Sequence, residues 1–298
     1  RRQPLFMDLP YLINYNQVMR VFRLLLAGIL TIAIATPVAS AQTGGASYVA
    51  FGDSIAANPT WAEQFDKSNG QPCRYGKDSY PEKLAGDFPS FYNASCSGTK
   101  ITVLDGEQKP LSETFDYSIN QAQDHGALGS NTRVVTITIG ANDPWPQAMG
   151  YGYKASSMSI DPKDYANRIR SRIDRIKSLA PNARILLVGY PEFVDDDNRL
   201  CLVNHDGGSS ALQLPVDDPT LKKYFRSLNQ AITGAANQLG AEYVDIGTAF
   251  RGHNTCAAGA DRWVTTLVDN PGVNLLPMHV SSAGVQAQAQ VIRTHLGL

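Results

Sequence analysis

The chain predicts an α/β protein with a central parallel sheet of about five strands and helices on both faces, and three observations carry that prediction. Apolar, β-branched runs recur at "SYVAFG" (47–52), "SFYNAS" (90–95), "RVVTITIG" (133–140), "RILLVGYP" (184–191) and "AEYVDIG" (241–247). Their continuous apolar character, instead of strict alternation, suits strands covered on both sides. Stretches with helical spacing lie between them, and strands alternating with helices imply parallel pairing through crossover connections.

Each element has its own warrant. Residues 1–18 read as upstream sequence without a functional part, and residues 19–41 as a secretory signal. The signal has a basic start, Met19-Arg20-Val21-Phe22-Arg23, an apolar stretch containing "LLLAGILTIAIATPVASA", and a small-x-small end at Ala39-Ser40-Ala41. Cleavage after Ala41 leaves residues 42–298 as a single domain and Gln42 as its first residue. Within that domain, "PKDYANRIRSRIDRIKSLA" from Pro162 repeats Tyr165, Ile169, Ile173, Ile176 and Leu179 every three or four residues, the period of a helix with one buried face. The run from Pro219 ends at Gly240, where a helix C-terminal glycine belongs. "SSAGVQAQAQVIRTHL" from Ser281 reads as a closing helix.

Charge and cysteines narrow the class. Removing residues 1–41 takes away four arginines and one aspartate and leaves a net charge of about −4. With no basic stripe to neutralise phosphates, a nucleic-acid partner is excluded. Cys73, Cys96, Cys201 and Cys256 are an even set in an apparently exported chain, so two disulfides are expected, and the sequence by itself allows three pairings. No Cys-x-x-Cys or His-x-x-x-His spacing points to a metal.

The chemistry concentrates where strands end, which is where open parallel sheets collect ligands. Gly52-Asp53-Ser54 closes the first run, although Gly-Asp-Ser is also ordinary turn and helix-cap sequence. "ASCSGTKIT" follows the second, where Gly98 is able to present a backbone N–H. "ITIGANDPW" closes the third and places Asn142 where its amide points into the same crevice. Nucleophilic acyl transfer needs a hydroxyl, a base and donors for the oxyanion, and these residues supply the first and third. The base must be one of five histidines. His125, His205 and His295 fit surface or structural roles, leaving His253, after the fifth strand, and the better-placed His279, in "PMHVSSAGVQAQ" before the closing helix.

In order, Gly52-Asp53-Ser54, Gly98, Gly140-x-Asn142-Asp143 and His279 resemble the four blocks of the SGNH (GDSL-type) hydrolase family, over nearly the whole domain. Among its members the chain is most similar to secreted actinobacterial esterases and lipases, through Gly189-Tyr190-Pro191, Gly252-His253-x-x-Cys256 followed by Trp263, and sequentially paired cysteines. The resemblance implies a three-layer α/β/α sandwich of flavodoxin-like type and hydrolysis of carboxylic esters without metal or other cofactor. It implies Ser54 as nucleophile and His279 as general base, with an oxyanion hole formed by the N–H groups of Ser54 and Gly98 and the side chain of Asn142. It also pairs Cys73 with Cys96 and Cys201 with Cys256. The expected partner is a small-molecule or lipid ester, met by a monomer that touches lipid surfaces transiently.

One position departs from the pattern. The family commonly carries an aspartate three residues before the histidine, and here Leu276 stands there. The expectation is therefore a Ser-His dyad in which the Leu276 backbone carbonyl orients the imidazole, with Asp269 a weaker substitute. Asp53 and Asp143 are expected to brace their loops. Trp145, Met149, Tyr151, Tyr153 and Met158 either line an acyl groove or cover the core. Two alternatives to an esterase or lipase are a carbohydrate (acetyl) esterase using the same machinery and a non-catalytic cell-surface binding module, the latter favoured only by Leu276.

Overall fold

In the computed structural model the described residues are 44–66, 73–103, 111–143, 145, 159–205, 212–270, 273 and 275–298. The upstream segment, the signal at 19–41, and Met149, Tyr151, Tyr153 and Met158 lie outside them. The elements in chain order are β1 (Tyr48–Gly52), α1 (Ser54–Ala57), α2 (Trp61–Phe65), α3 (Tyr80–Leu84), β2 (Phe91–Asn93), α4 (Phe115–Asp124), β3 (Val134–Thr138) and α5 (Pro162–Leu179). Then come β4 (Arg184–Val188), β5 (Arg199–His205), β6 (Leu212–Asp217), α6 (Pro219–Leu239), β7 (Glu242–Val244), α7 (Ile246–Ala249) and α8 (Ser282–Leu296).

Five strands form one sheet in the order β2-β1-β3-β4-β7, and every neighbouring pair is parallel. All residues of β1 and β3 are buried, as their unbroken apolar character requires of strands covered on both faces. Helices α4, α5 and α6 pack side by side as one layer, and α3 packs on α8 in the other. The stripe read from the spacing of α5 is the one it buries, with Tyr165, Ile169, Ile173 and Ile176 inside. Each such side chain contributes roughly 1.5–3 kcal/mol of burial. Gly240 takes the left-handed conformation that ends α6 (φ 58°). The fold is the α/β/α sandwich that the strand and helix alternation predicts.

Chain order along this sheet reverses direction at β1. The connection to β2 runs one way and the connection to β3 the other, so a crevice opens beyond the C-terminal ends of β1 and β3. The antiparallel hairpin β5–β6 was not expected from the sequence. It stands outside the main sheet, and the Cys201–Cys256 disulfide ties it to the loop after α7. The second disulfide is Cys73–Cys96, so both pairs are the ones the resemblance implies.

Candidate active site

Strand β1 ends in a turn that only glycine fits. A Cβ on Gly52 would sit 2.6 Å from both the Thr138 carbonyl oxygen and the Ala56 Cβ. The chain then turns into α1. Asp53 caps this helix, its carboxylate accepting the Ile55 N–H at 2.9 Å, and Ser54 is the first helical residue. Its N–H is one of the donors that a helix start leaves without an intrahelical partner.

The turns after β2 and β3 are stitched to this one. Cys96 N–H donates to the Gly52 carbonyl at 2.9 Å, and Asp53 N–H to the Thr138 carbonyl at 2.8 Å. Gly98 takes φ 85°, a left-handed conformation that costs glycine little. The Asn142 amide donates to the Thr99 carbonyl at 3.2 Å, which turns it toward the Gly98 loop. Next to it the buried Asp143 carboxylate accepts the N–H groups of Ile101 and Thr102 and the Thr102 hydroxyl, each at 2.9 Å. Burial pushes this carboxyl upward, against the pull of those hydrogen bonds. Asp143 thus locks the Gly98 loop to the Asn142 loop.

Asp53 carries a second bond that the sequence did not reveal. Tyr190, two residues beyond β4, donates its hydroxyl to Asp53 Oδ2 at 2.5 Å and accepts the Ala141 N–H at 3.1 Å. Three strand ends meet in this buried chain of donors. Burial raises the Asp53 carboxyl to about 7, with the Tyr190 bond opposing the shift. Burial also holds the Tyr190 phenol well above its ordinary range, so it remains a donor. The sequence signals for Tyr190 were its place just past a strand end and the Gly189-Tyr190-Pro191 run in which it resembles the secreted esterases and lipases.

His279 lies in the turn before α8. Its Nδ1 is 2.8 Å from the Pro277 carbonyl oxygen, and its Nε2 is shielded from solvent with no hydrogen-bond partner among the described residues. A carbonyl only accepts, so Nδ1 carries the proton and Nε2 is the free lone pair, the tautomer a general base requires. Burial lowers the imidazole from its ordinary 6.5, against the pull of the Pro277 bond, and keeps it neutral. The expectation of Leu276 is corrected here. The Leu276 carbonyl accepts the Thr265 hydroxyl at 2.6 Å, and the residue that faces Nδ1 is one step further along the chain. Asp269 is engaged by Arg262 at 2.5 Å and does not reach the histidine.

The turn of His279 is anchored to the helix of Ser54. Asn58, which ends α1 with a left-handed backbone (φ 41°), donates its amide to the carbonyls of Asp78 at 2.8 Å and Val280 at 3.0 Å. Among the described residues Nε2 makes no hydrogen bond to the Ser54 hydroxyl, and catalytic hydrogen bonds often form only around substrate. The competing His253 lies flat on Trp263, ring centroids 3.5 Å apart, with Nδ1 2.7 Å from the Asp261 carbonyl. Trp145 is core: it is fully buried, stacks on Tyr165 and donates to the Gly140 carbonyl at 2.8 Å.

A serine at the switch point of a parallel sheet, amide donors on the two flanking loops and a neutral imidazole with a bare Nε2 are the parts of a serine hydrolase. The profile of the GDSL-like Lipase/Acylhydrolase family matches residues 50–287, and the chain belongs to that family, an SGNH-type carboxylic ester hydrolase. It is 28% identical over 308 aligned residues to Lipase 2 of Streptomyces coelicolor, with 94% of this chain and 97% of that protein covered. A 110-residue stretch, 35% of this chain and 31% of the relative, is 38% identical to an esterase of Streptomyces scabiei. Among solved structures, the extracellular lipase of Streptomyces rimosus shares the fold with a TM-score of 0.55 at 21% identity, over 83% of this chain and 98% of that one. Phospholipase A1 of Streptomyces albidoflavus does so with a TM-score of 0.55 at 24% identity, over 84% and 99%.

Proposed function

We propose that the protein is a secreted esterase or lipase that hydrolyses carboxylic esters through an acyl-enzyme on Ser54, with His279 as its general base. The observation that carries this reading is the Pro277 bond to Nδ1, which leaves the shielded Nε2 lone pair as the proton acceptor on a turn anchored to the helix of Ser54.

In the first half-reaction Nε2 takes the Ser54 hydroxyl proton as Oγ attacks the ester carbonyl carbon. The carbonyl oxygen becomes an oxyanion held by the N–H groups of Ser54 and Gly98 and by the Asn142 amide, whose second N–H is not needed by Thr99. Collapse of the tetrahedral intermediate breaks the ester bond, and the proton on Nε2 goes to the departing alcohol. In the second half-reaction water gives a proton to Nε2 and its oxygen to the acyl carbon, and Ser54 leaves with that proton as the acid is released. The Pro277 carbonyl stands in for the usual carboxylate: it holds the tautomer but adds no full negative charge to the imidazolium.

Export after cleavage at Ala41 is supported by the two disulfides, which persist in oxidising compartments. Among the described residues no helix is long and apolar enough to cross a membrane. Transient contact with lipid is supported by Trp61 and Phe65, which stack on each other while 47% and 63% exposed, next to Thr60, which bridges to Leu275 of the histidine turn. Hydrolysis of p-nitrophenyl acetate, butyrate, octanoate and palmitate by the purified chain, beside Ser54→Ala, tests the reading. Activity that vanishes in the variant supports it, and the preferred chain length separates an acetyl esterase from a lipase. Equal rates for the two proteins overturn it, as does failure of an organophosphate to label Ser54 in the folded chain.

A further inference from the structure

The loss of the family's aspartate at Leu276 leaves a question that the Pro277 bond answers only in part. A backbone carbonyl orients an imidazole only if its own peptide is held still, and the turn that carries it is not relaxed. Met278 sits at φ 58°, a left-handed conformation that a residue other than glycine keeps only where its surroundings enforce it.

One residue clamps that turn at both ends. Thr265, 1% exposed, donates its hydroxyl to the Leu276 carbonyl at 2.6 Å and accepts the His279 N–H at 3.0 Å on the same oxygen. Its backbone N–H donates to the His279 carbonyl at 2.8 Å, and its own carbonyl accepts the Met278 N–H at 3.2 Å. Pro277 lies between the two anchored ends with φ fixed by its ring, which leaves ψ as the torsion that aims its carbonyl at Nδ1 and makes that aim depend on the anchors. The clamp is itself immobilised. Val264 pairs with Val280 on one side, and on the other Thr266 N–H donates to Asp269, whose carboxylate is bound by the buried Arg262.

We propose that Thr265 is the positioning residue of the histidine turn: its hydroxyl, by bridging the Leu276 carbonyl and the His279 N–H, sets the Pro277–His279 bond that replaces the missing carboxylate. Thr265 touches no reacting atom and acts only through His279. The inference rests on His279 being the general base.

The test compares Thr265→Ser, Thr265→Val and Thr265→Ala by steady-state kinetics on a soluble p-nitrophenyl ester, with nitrogen NMR of the imidazoles in each protein and His279→Ala as control. Valine keeps the volume and removes the hydroxyl, while serine keeps the hydroxyl and removes the methyl. Expected is a near-native kcat for serine and a drop of about tenfold to a hundredfold for valine and alanine with KM little changed, since a base misplaced by an ångström costs that much. The His279 signals should pass from a single Nδ1–H tautomer in the native and serine proteins to a mixture in valine and alanine. Native kcat and tautomer in valine, or a serine variant as slow as alanine, overturn the proposal. If valine does not fold, serine against alanine decides it. Full activity in His279→Ala would instead sink the reading of the base, and the tautomer signals would still judge Thr265.

Discussion

The acid and base behaviour of the site is decided by single buried groups. The proposed role of general base requires a neutral His279, and burial lowers its pKa below the ordinary 6.5. The acid limb of kcat/KM against pH is therefore expected to have its midpoint below 6.5, and a midpoint at or above that value would show the imidazole to be solvated or charge-paired. Asp53 moves the other way. Its carboxyl is raised from 3.8 to about 7 in the folded protein, so between those values the folded state holds a proton that the unfolded chain has lost. Stability from this group is complete below 3.8 and falls as pH rises toward 7. Asp53→Asn, which does not titrate, should flatten that decline. Urea unfolding of both proteins at pH 4 and pH 7 checks it, and equal slopes would mean that the carboxyl is not buried as described.

At the scale of elements, the short helix α1 matters less for its own stability than for what its ends hold. Its N-terminus presents Ser54 and its C-terminal Asn58 fastens the carbonyls of Asp78 and Val280, so one turn of helix ties Ser54 to the histidine turn. Asn58→Ala removes the donor from the buried Val280 carbonyl and from the part-buried Asp78 carbonyl, and places a residue less tolerant of the left-handed region there. The expected loss is about 2–4 kcal/mol, read from the urea midpoint, together with lower kcat. An unchanged midpoint would mean that water replaces both bonds. The long helices α5 and α6 were legible because their buried stripes follow the helical period and their ends carry Pro162, Pro219 and Gly240. Helix α4 was not, because "FDYSINQAQD" buries only Phe115, Ser118, Ile119 and Ala122 among polar residues. The hairpin was hidden for a related reason: every residue of β6 is exposed, and Pro215 within it argues against a strand.

For the whole molecule, the sheet order brings residues from distant parts of the chain to one crevice, while Cys73–Cys96 secures the loop after β2 beside it and Cys201–Cys256 secures the hairpin outside the sheet. Cys73–Cys96 closes a separation of 23 residues and Cys201–Cys256 one of 55. By loop-closure entropy their removal should cost about 3 and about 4 kcal/mol respectively. Paired Cys→Ser variants compared by thermal unfolding test the order of the two effects. Removing the 73–96 pair should also lower activity, because Cys96 N–H binds the Gly52 carbonyl beside Asp53 and Ser54, the proposed nucleophile. Native activity after its removal would show that the strand-end turn holds its shape unaided.

Unbroken apolar runs declared the five parallel strands, because a strand covered on both faces has no polar side to display, and helical periods declared the layers around them. The order of the motif blocks carried Ser54, Gly98, Asn142 and His279 as candidates through resemblance. Only the tertiary structure decided what holds them. Tyr190 reaches Asp53 across 137 residues, Asn58 reaches Val280 across 222, and Thr265 reaches the histidine turn across 14. The choice of Pro277 over Leu276 depends on the direction of a single peptide plane. Periodicity records which side of an element is buried, but the aim of a carbonyl or a hydroxyl is set by what packs against it from elsewhere in the chain.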